Sequence, residues 1–269
     1  FISYGNAMDI DESDLIEYLG GDEKTKVICL YVEGVWDGKK FLEIAKKVSQ
    51  KKPIIVIKGG KTVEGSKAAL SHTGALAGVA DVYSGVFRQA GVIEVSSLEE
   101  MFETAKMLEK CVKPKGKRIL VITNGGGYGI LSADAIIKNE LELTEISKEA
   151  KKIIKKTLPN VAIGNPIDLL GDATTNGYAS ALELAMSDKN VDIVLLIILY
   201  QTPLVTTDVV DVVIEANDTR KKPIAVVSAG GEFTEVLKSS LEANNVPNYT
   251  FPENAVRAIK HLVDYYSKK

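Results

Sequence analysis

One sequence unit occurs twice in this chain of 269 residues, and that repeat constrains the fold more than any other feature. Lys51-Lys52-Pro53-Ile54-Ile55-Val56-Ile57-Lys58-Gly59-Gly60 returns as Lys221-Lys222-Pro223-Ile224-Ala225-Val226-Val227-Ser228-Ala229-Gly230-Gly231. Upstream, Gly5-Asn6-Ala7-Met8-Asp9 returns as Gly164-Asn165-Pro166-Ile167-Asp168. Two domains of one design are therefore expected, rather than a single large one. The copies differ in one place. From the second glycine of the pair to the next valine, the first copy spends 32 residues (Gly60 to Val92) and the second 15 (Gly231 to Val246). The excess is a loop of small residues, Gly59 to Gly78, carrying one of only two histidines, His72, between Ser71 and Thr73-Gly74.

Apolar β-branched runs alternate with helical patterns along most of the chain. Val27–Val32, Ile54–Ile57, Ile119–Thr123, Val191–Tyr200 and Ile224–Val227 read as strands. Ser13–Leu19, Phe41–Val48, Val82–Gln89, Tyr178–Met186 and Val256–Val263 have helical periodicity. Strands alternating with helices specify an α/β fold with parallel sheets covered on both faces. Ser97 with Glu100 predicts a capping box opening a helix that ends near Lys110. The segment Val112-Lys113-Pro114-Lys115-Gly116-Lys117 then breaks the pattern, which sets the expected domains at 1–112 and 117–269. The second copy begins with a strand, the turn Asn124-Gly125-Gly126-Gly127-Tyr128-Gly129 and a helix, all ahead of its Gly-Asn-x-x-Asp segment. In the first copy that segment sits at residue 5, so by symmetry the first domain is expected to be incomplete at its amino end.

Composition narrows the function. A 45% hydrophobic content supports two cores, and a net charge of -3 without a basic stripe argues against nucleic acid. The longest apolar run, Ile193–Tyr200, is far short of the ~20 residues needed to cross a bilayer, so no membrane partner is expected. Cys29 and Cys111 are single, unpatterned cysteines that read as reduced thiols in the cytoplasm rather than a disulfide or metal site. Abundant Lys and Glu with three Gln and four Met match the bias of proteins from hot environments.

The turn Asn124–Gly129 follows a strand and opens a helix, so its unpaired N–H groups suit a phosphate. An ordinary tight turn is the alternative. The run is neither a Walker A loop nor the G-x-G-x-x-G dinucleotide fingerprint, which points to one phosphoryl group rather than a nucleotide. His72 lacks metal-ligating company, because His261 lies among Lys260, Asp264 and Lys268 on a helix expected to keep it at the surface. No G-x-S-x-G elbow supports a hydrolase. A phosphoryl carrier needs a neutral imidazole, an acidic partner and a mobile glycine-rich segment. Glu33, at the carboxyl end of the strand Val27–Val32, is the candidate partner; a solvated loop acid is the other reading.

Lys58-Gly59-Gly60-Lys61-Thr62 with Ser71-His72-Thr73-Gly74-Ala75-Leu76-Ala77-Gly78 resembles the phosphohistidine segment of the nucleoside-diphosphate-forming acyl-CoA synthetases. These include ADP-forming acetyl-CoA synthetases and are relatives of succinyl-CoA synthetase. Tyr31-Val32-Glu33-Gly34 resembles the strand end that supplies the facing glutamate. Thr123–Gly129 with Asn165-Pro166-Ile167-Asp168 resembles the family's second flavodoxin-like ligase domain. The resemblance covers essentially the whole chain and implies two flavodoxin-like, succinyl-CoA synthetase-like domains. It implies an acid-thiol ligase that converts acyl-CoA, ADP and phosphate into acid, CoA and ATP through a phosphohistidine. His72 would be the carrier, oriented by Glu33. Asn124, Gly125, Gly126 and Gly127, with Ser71, Thr73 and Gly74, would bind phosphate, the second domain presenting its helix end to phosphorylated His72. No metal ligand and no cofactor is expected of this chain alone. CoA, ADP or ATP and Mg belong to the complete enzyme, with a CoA-binding domain and an ATP-grasp subunit or domain as partners in an oligomer. The alternative is a non-catalytic regulatory module related to domains fused to protein acetyltransferases, in which the carrier histidine is typically lost.

Overall fold

A computed structural model describes residues 1–67 and 80–267. The chain divides into two compact units, Phe1–Glu109 and Lys110–Lys268, each with a sheet whose strands pair in parallel. In the first unit β1 (Ile28–Val32), β2 (Ile54–Lys58) and β3 (Ile93–Val95) lie side by side in that order, with Val32 opposite Lys58. Its helices are α1 (Glu12–Gly21), α2 (Gly38–Ser49), α3 (Ala80–Gln89) and α4 (Leu98–Lys110), and residues 63–67 are also helical. Parallel strands need crossovers, and crossover helices cover both faces of the sheet. Ile54, Ile55 and Val56 are accordingly all buried in succession, without alternation. Phe41 of α2 and Phe87 of α3 meet edge to face at 5.8 Å within that core.

The second unit contains β4 (Arg118–Thr123), α5 (Gly126–Lys138), β5 (Glu142–Leu143), α6 (Lys148–Thr157), β6 (Ile167–Asp168) and α7 (Thr175–Ser187). There follow β7 (Ile193–Ile197), α8 (Val209–Asp218), β8 (Ile224–Val227), α9 (Glu232–Ala243), β9 (Asn248–Tyr249) and α10 (Pro252–Ser267). The sheet runs β5-β4-β7-β8-β9, and β6 takes over from β5 along the outer edge of β4. Between those two short strands the ladder would leave backbone groups bare. The Asn165 side chain fills the gap, accepting from Val121 N–H at 3.0 Å and donating to the carbonyls of Ile119 and Thr144. This is the structural use of the repeated Gly-Asn segment in this unit, and the Asn165–Pro166 bond is cis.

Several expected boundaries shift for identifiable reasons. The apolar run Val191–Tyr200 yields a strand only to Ile197, because the Asn124 amide takes both the N–H and the carbonyl of Leu199. Ser97 Oγ accepts from the Glu100 N–H, as a capping box requires. The Glu100 carboxylate, however, receives the N–H and hydroxyl of Ser96, one residue earlier. The segment Val112–Lys117 falls within the second unit, and Gly116 sits so close to the Asp192 carboxylate that an added Cβ would lie 2.4 Å from Oδ2. Among the described residues, the first unit matches β7, β8 and β9 and holds no counterpart of β4 or β5. Cys29 is exposed and Cys111 buried; burial pushes the Cys111 thiol up to about 12.

The repeated Lys-Lys-Pro has a specific task. Lys52 donates to the carbonyls of Leu19 and Asp22 at the end of α1, and Lys222 to those of Ala185 and Asp188 at the end of α7. Each ammonium closes the carboxyl end of the helix that leads into the neighbouring strand, β1 or β7, where carbonyls lack intrahelical partners and the dipole favours a cation. The exits of α3 and α9 also agree. Val92 N–H reaches Phe87 O and Val246 N–H reaches Leu241 O, through a left-handed Gly91 (φ 69°) and Asn245 (φ 60°).

Arg118 and Asp192 form the other fixed point of the second unit. Asp192, 5% exposed, accepts from the Arg118 N–H, Nε and Nη2. Burial works to raise its pKa, but the hydrogen bonds and charge of Arg118 outweigh burial and hold the carboxyl below its ordinary value. Asp192→Ala should therefore cost roughly 2–3 kcal/mol in urea unfolding. The stabilisation is complete above the ordinary carboxylate pKa of about 4 and is lost as pH falls through the lower folded value. The acid limb of a melting-temperature profile should thus be shallower in the variant. Lys222→Met, which strips two carbonyls of their donor, should lower stability by roughly 1–3 kcal/mol in the same assay.

Candidate functional site

In parallel sheets the carboxyl ends of the strands are where side chains and loops can meet a ligand. In the first unit that edge holds Glu33, immediately after β1, and Lys58-Gly59-Gly60, which ends β2. The ladder continues one step beyond β1, with Gly59 N–H donating to Val32 O at 2.9 Å. Tyr31 fastens the two ends together. Its hydroxyl donates to Glu33 Oε1 at 3.2 Å and lies across Gly59, where an added Cβ would come within 2.6 Å of it. The Tyr31 phenol is pushed up by burial first, then by its hydrogen bond to Glu33 and the carboxylate's charge. Tyr4, pushed up to about 12, feels burial, then Glu12, Asp11 and Glu33.

Beyond Gly60, which has φ 70°, the chain turns into the helical residues 63–67. Thr62 Oγ1 caps that turn by accepting from Gly65 N–H, and Ser66 Oγ donates back to Gly60 O at 2.8 Å. Lys61 pairs with Glu94 at 2.7 Å, and Ser84 donates to the same carboxylate. This chain segment leads toward His72. The expected carrier His72 and its neighbours Ser71, Thr73 and Gly74 lie outside the described residues, as does any contact between His72 and Glu33. The other histidine, His261, expected at the surface, is half-buried on α10, because that helix also contributes Ile259, Leu262 and Val263 to buried positions. Among the described residues no cluster of His, Cys, Asp and Glu could hold a metal ion.

In the second unit, Asn124, Gly125, Gly126 and Gly127 stand together at the carboxyl end of β4. Gly125 is the N-cap of α5 and no side chain caps the helix. Gly125 N–H donates instead to Thr123 Oγ1, and Gly129 N–H is the first to return into the helix, to Gly125 O. The amides of Gly126, Gly127 and Tyr128 are thus the open donors of the first turn, and Gly126 and Gly127 are exposed.

Packing accounts for part of the glycine run. A Cβ on Gly125 would meet Leu199 Cδ1 at 2.5 Å, one on Gly129 would meet Pro166 and Thr123 at 3.1 Å, and one on Gly127 would meet nothing. Asn124 also has a task within the fold. Its side chain is committed to Leu199 and Thr202, so it shapes the turn rather than offering its amide to an anion. Asp168 was missed at this end. Its Oδ2 would lie 3.2 Å from a Cβ on Gly126, and its Oδ1 accepts from Leu170 N–H. The signal is present in the repeated Gly-Asn-x-x-Asp segment, which marks the repeat and, as Asn165-Pro166-Ile167-Asp168, carries part of the family resemblance without a separate role for Asp168. Lys58 was likewise passed over within the quoted motif.

Residues 1–108 match the family model for the succinyl-CoA ligase-like flavodoxin domain, and residues 119–263 match that for the Ligase-CoA domain. The chain is 39% identical over 263 residues to the alpha subunit of acetate–CoA ligase [ADP-forming] I from Pyrococcus furiosus, covering 97% of this chain and 57% of that one. It is 40% identical to acetate–CoA ligase [ADP-forming] of Methanocaldococcus jannaschii, over 98% of this chain and 38% of the relative. Among solved structures, an acetyl-coenzyme A synthetase 1 of Ca. Korarchaeum cryptofilum, described as dinucleotide forming and in complex with phosphate and ADP, superimposes with a TM-score of 0.91. That pair is 34% identical, with 99% of this chain and 58% of the other covered. The chain thus spans little more than half the length of some relatives and well under half of others. With both domains matched in order along its length, the chain belongs to the CoA-ligase family that joins a succinyl-CoA ligase-like flavodoxin domain to a Ligase-CoA domain.

Proposed function

We propose that the chain is part of an ADP-forming acyl-CoA synthetase, an acid-thiol ligase. Acyl-CoA and phosphate give an acyl phosphate and free CoA; the acyl phosphate passes its phosphoryl group to His72, releasing the acid; and the phosphohistidine passes it to ADP, forming ATP. The observation that carries this reading is the tie made by Tyr31 between Glu33 and the Gly59-Gly60 turn from which the His72 segment departs. It holds a carboxylate at the sheet edge beside the root of that segment, where an imidazole needs an acidic partner to fix its tautomer. The likeness to ligases named ADP-forming supports the same reading.

In this reading Glu33 orients the His72 imidazole and stabilises it once phosphorylated, and Ser71, Thr73 and Gly74 surround the carried group. The exposed amides of Gly126 and Gly127, with the α5 dipole behind them, bind a phosphoryl group, an interaction worth on the order of 1 kcal/mol. CoA, ADP and Mg are held by a CoA-binding domain and an ATP-grasp domain or subunit completing an oligomer in the cytoplasm. Among the described residues no helix is long and apolar enough to cross a membrane.

Labelled phosphate supplied with acyl-CoA to the complete enzyme provides the test. His72→Ala should abolish the acid-labile, base-stable label while leaving the melting temperature unchanged, and a persisting label would move the carrier elsewhere. Glu33→Gln, which keeps shape but removes charge, should cut phosphohistidine by about 100-fold. Wild-type labelling in that variant would return Glu33 to the role of a loop acid.

The glycine turn is tested by a paired substitution. Gly126→Val places a branched side chain against Asp168 Oδ2 and across the open amides, so phosphate binding should fall. Gly127→Ala enters open space and should leave folding unharmed, or gain about 0.5 kcal/mol. Equal phosphate affinity in wild type and Gly126→Val would reduce the turn to a packing device.

A further inference from the structure

The corner of the first unit where β1 and β2 end contains a buried cation that the proposed reaction has so far not used. Lys58 closes β2 and is 4% exposed. Its ammonium donates to the adjoining Gly59 carbonyl and stands 4.8 Å from the centroid of the Tyr83 ring. Tyr83 is itself held, since its hydroxyl accepts from Val35 N–H. An ammonium has three N–H donors, and among the described residues only the Gly59 carbonyl accepts from it. None of the ion pairs formed among the described residues involves Lys58. A buried ammonium without a counter-ion is costly, and such a group persists where something else completes it.

The charges facing it define what that completion is. Burial pulls the Lys58 pKa below its ordinary value, Glu33 works in the opposite direction, and Lys61 adds to the lowering. Lys61 is already neutralised by Glu94. Glu33 lies one residue past the register partner of Lys58 and is engaged by Tyr31. The corner therefore has a carboxylate fixed in place and an ammonium with donors to spare, beside a turn made of two glycines. A phosphoryl group brought next to Glu33 alone would meet like charge, which is unfavourable. An adjacent ammonium removes that obstacle, and lysine binds phosphate as a point charge in this way.

We infer that Lys58 is a phosphate-binding residue of this corner, donating its free N–H groups to the oxygens of inorganic phosphate and of the phosphoryl group carried by the enzyme. The inference rests on the phosphohistidine reading of the same site. No bond to Lys58 is made or broken; the phosphoryl oxygens accept hydrogen bonds from a protonated amine.

The experiment uses the complete enzyme as wild type, Lys58→Met and Lys58→Arg. Inorganic phosphate is the probe, titrated by 31P NMR and, in turnover, as KM for phosphate beside KM for acyl-CoA. Lys58→Met should weaken phosphate binding on the order of tenfold or more. The KM for acyl-CoA and the melting temperature should hold. Lys58→Arg, which keeps a cation, should recover most of the phosphate affinity.

Unchanged phosphate binding in Lys58→Met overturns the assignment. So does a parallel loss of phosphate affinity, acyl-CoA affinity and melting temperature in both variants, which would make Lys58 a structural cation. Should Lys58→Met melt early, Lys58→Gln, which retains a donor for the Gly59 carbonyl without the charge, is judged by the same ratio of KM values. Failure of the wider reading shows separately, as absence of an acid-labile label in the wild-type enzyme.

Discussion

The buried parallel ladder is the constraint on which the rest of the structure depends. Ile119–Ile122 of β4, Ile193–Ile197 of β7 and Ile224–Val227 of β8 are all essentially inaccessible to water, on both faces at once. Such strands cannot carry polar side chains, so their backbone groups must find every partner in a neighbouring strand. Wherever the ladder stops, a side chain has to take over. Asn165 does so between β5 and β6, and Asn124 does so beyond the end of β7. The same rule pushes the remaining chemistry to the strand ends, since nowhere else along these strands is there room for a charge.

The two edges of each sheet are put to different uses. At the amino edge the groups are spent on stability. Lys52 and Lys222 close helix ends, Asp188 accepts from Ser147 and Asn190, and Asp192 holds Arg118. These donors and acceptors are mutually satisfied within the fold. At the carboxyl edge satisfaction is deliberately incomplete in chemical terms. The first turn of α5 keeps open amides, and among the described residues Lys58 keeps donors beyond the Gly59 carbonyl. Open donors at a buried or half-buried edge favour an anion, which is the common property of every substrate in the proposed reaction.

Charge near those donors is balanced finely. Asp168 beside Gly126 and Glu33 beside the Gly59 turn each put a carboxylate where an anion would bind. A carboxylate at a helix amino end is favourable by itself, because it answers the dipole. Its presence means that an incoming phosphoryl group competes for that field, or brings a proton or a cation with it. Tyr31 and Tyr4 shift in the same field, both pushed up by burial and by the acids around them.

The sequence by itself determined the class of the fold and the doubling of its unit. Alternating β-branched runs and helical periods have only one arrangement that buries both faces of a sheet, and a repeat of Lys-Lys-Pro-Ile with Gly-Gly can be seen without coordinates. It also marked Glu33 and the Asn124–Gly127 turn as strand-end positions, since strand ends follow from the apolar runs. What it could not assign was the partner of each polar group. That Asn124 holds Leu199, 75 residues away, that Lys222 closes α7, and that Tyr31 joins Glu33 to Gly59 depend on which strands become neighbours. A residue type carries its hydrogen-bonding capacity in the sequence, but the acceptor it meets is fixed only when the sheet order brings distant segments within about 3 Å. Lys58 makes the point most sharply. It stands in the repeat and opens the motif Lys58–Thr62, yet nothing in the sequence separates its role from that of Lys61; its burial at the end of β2 does.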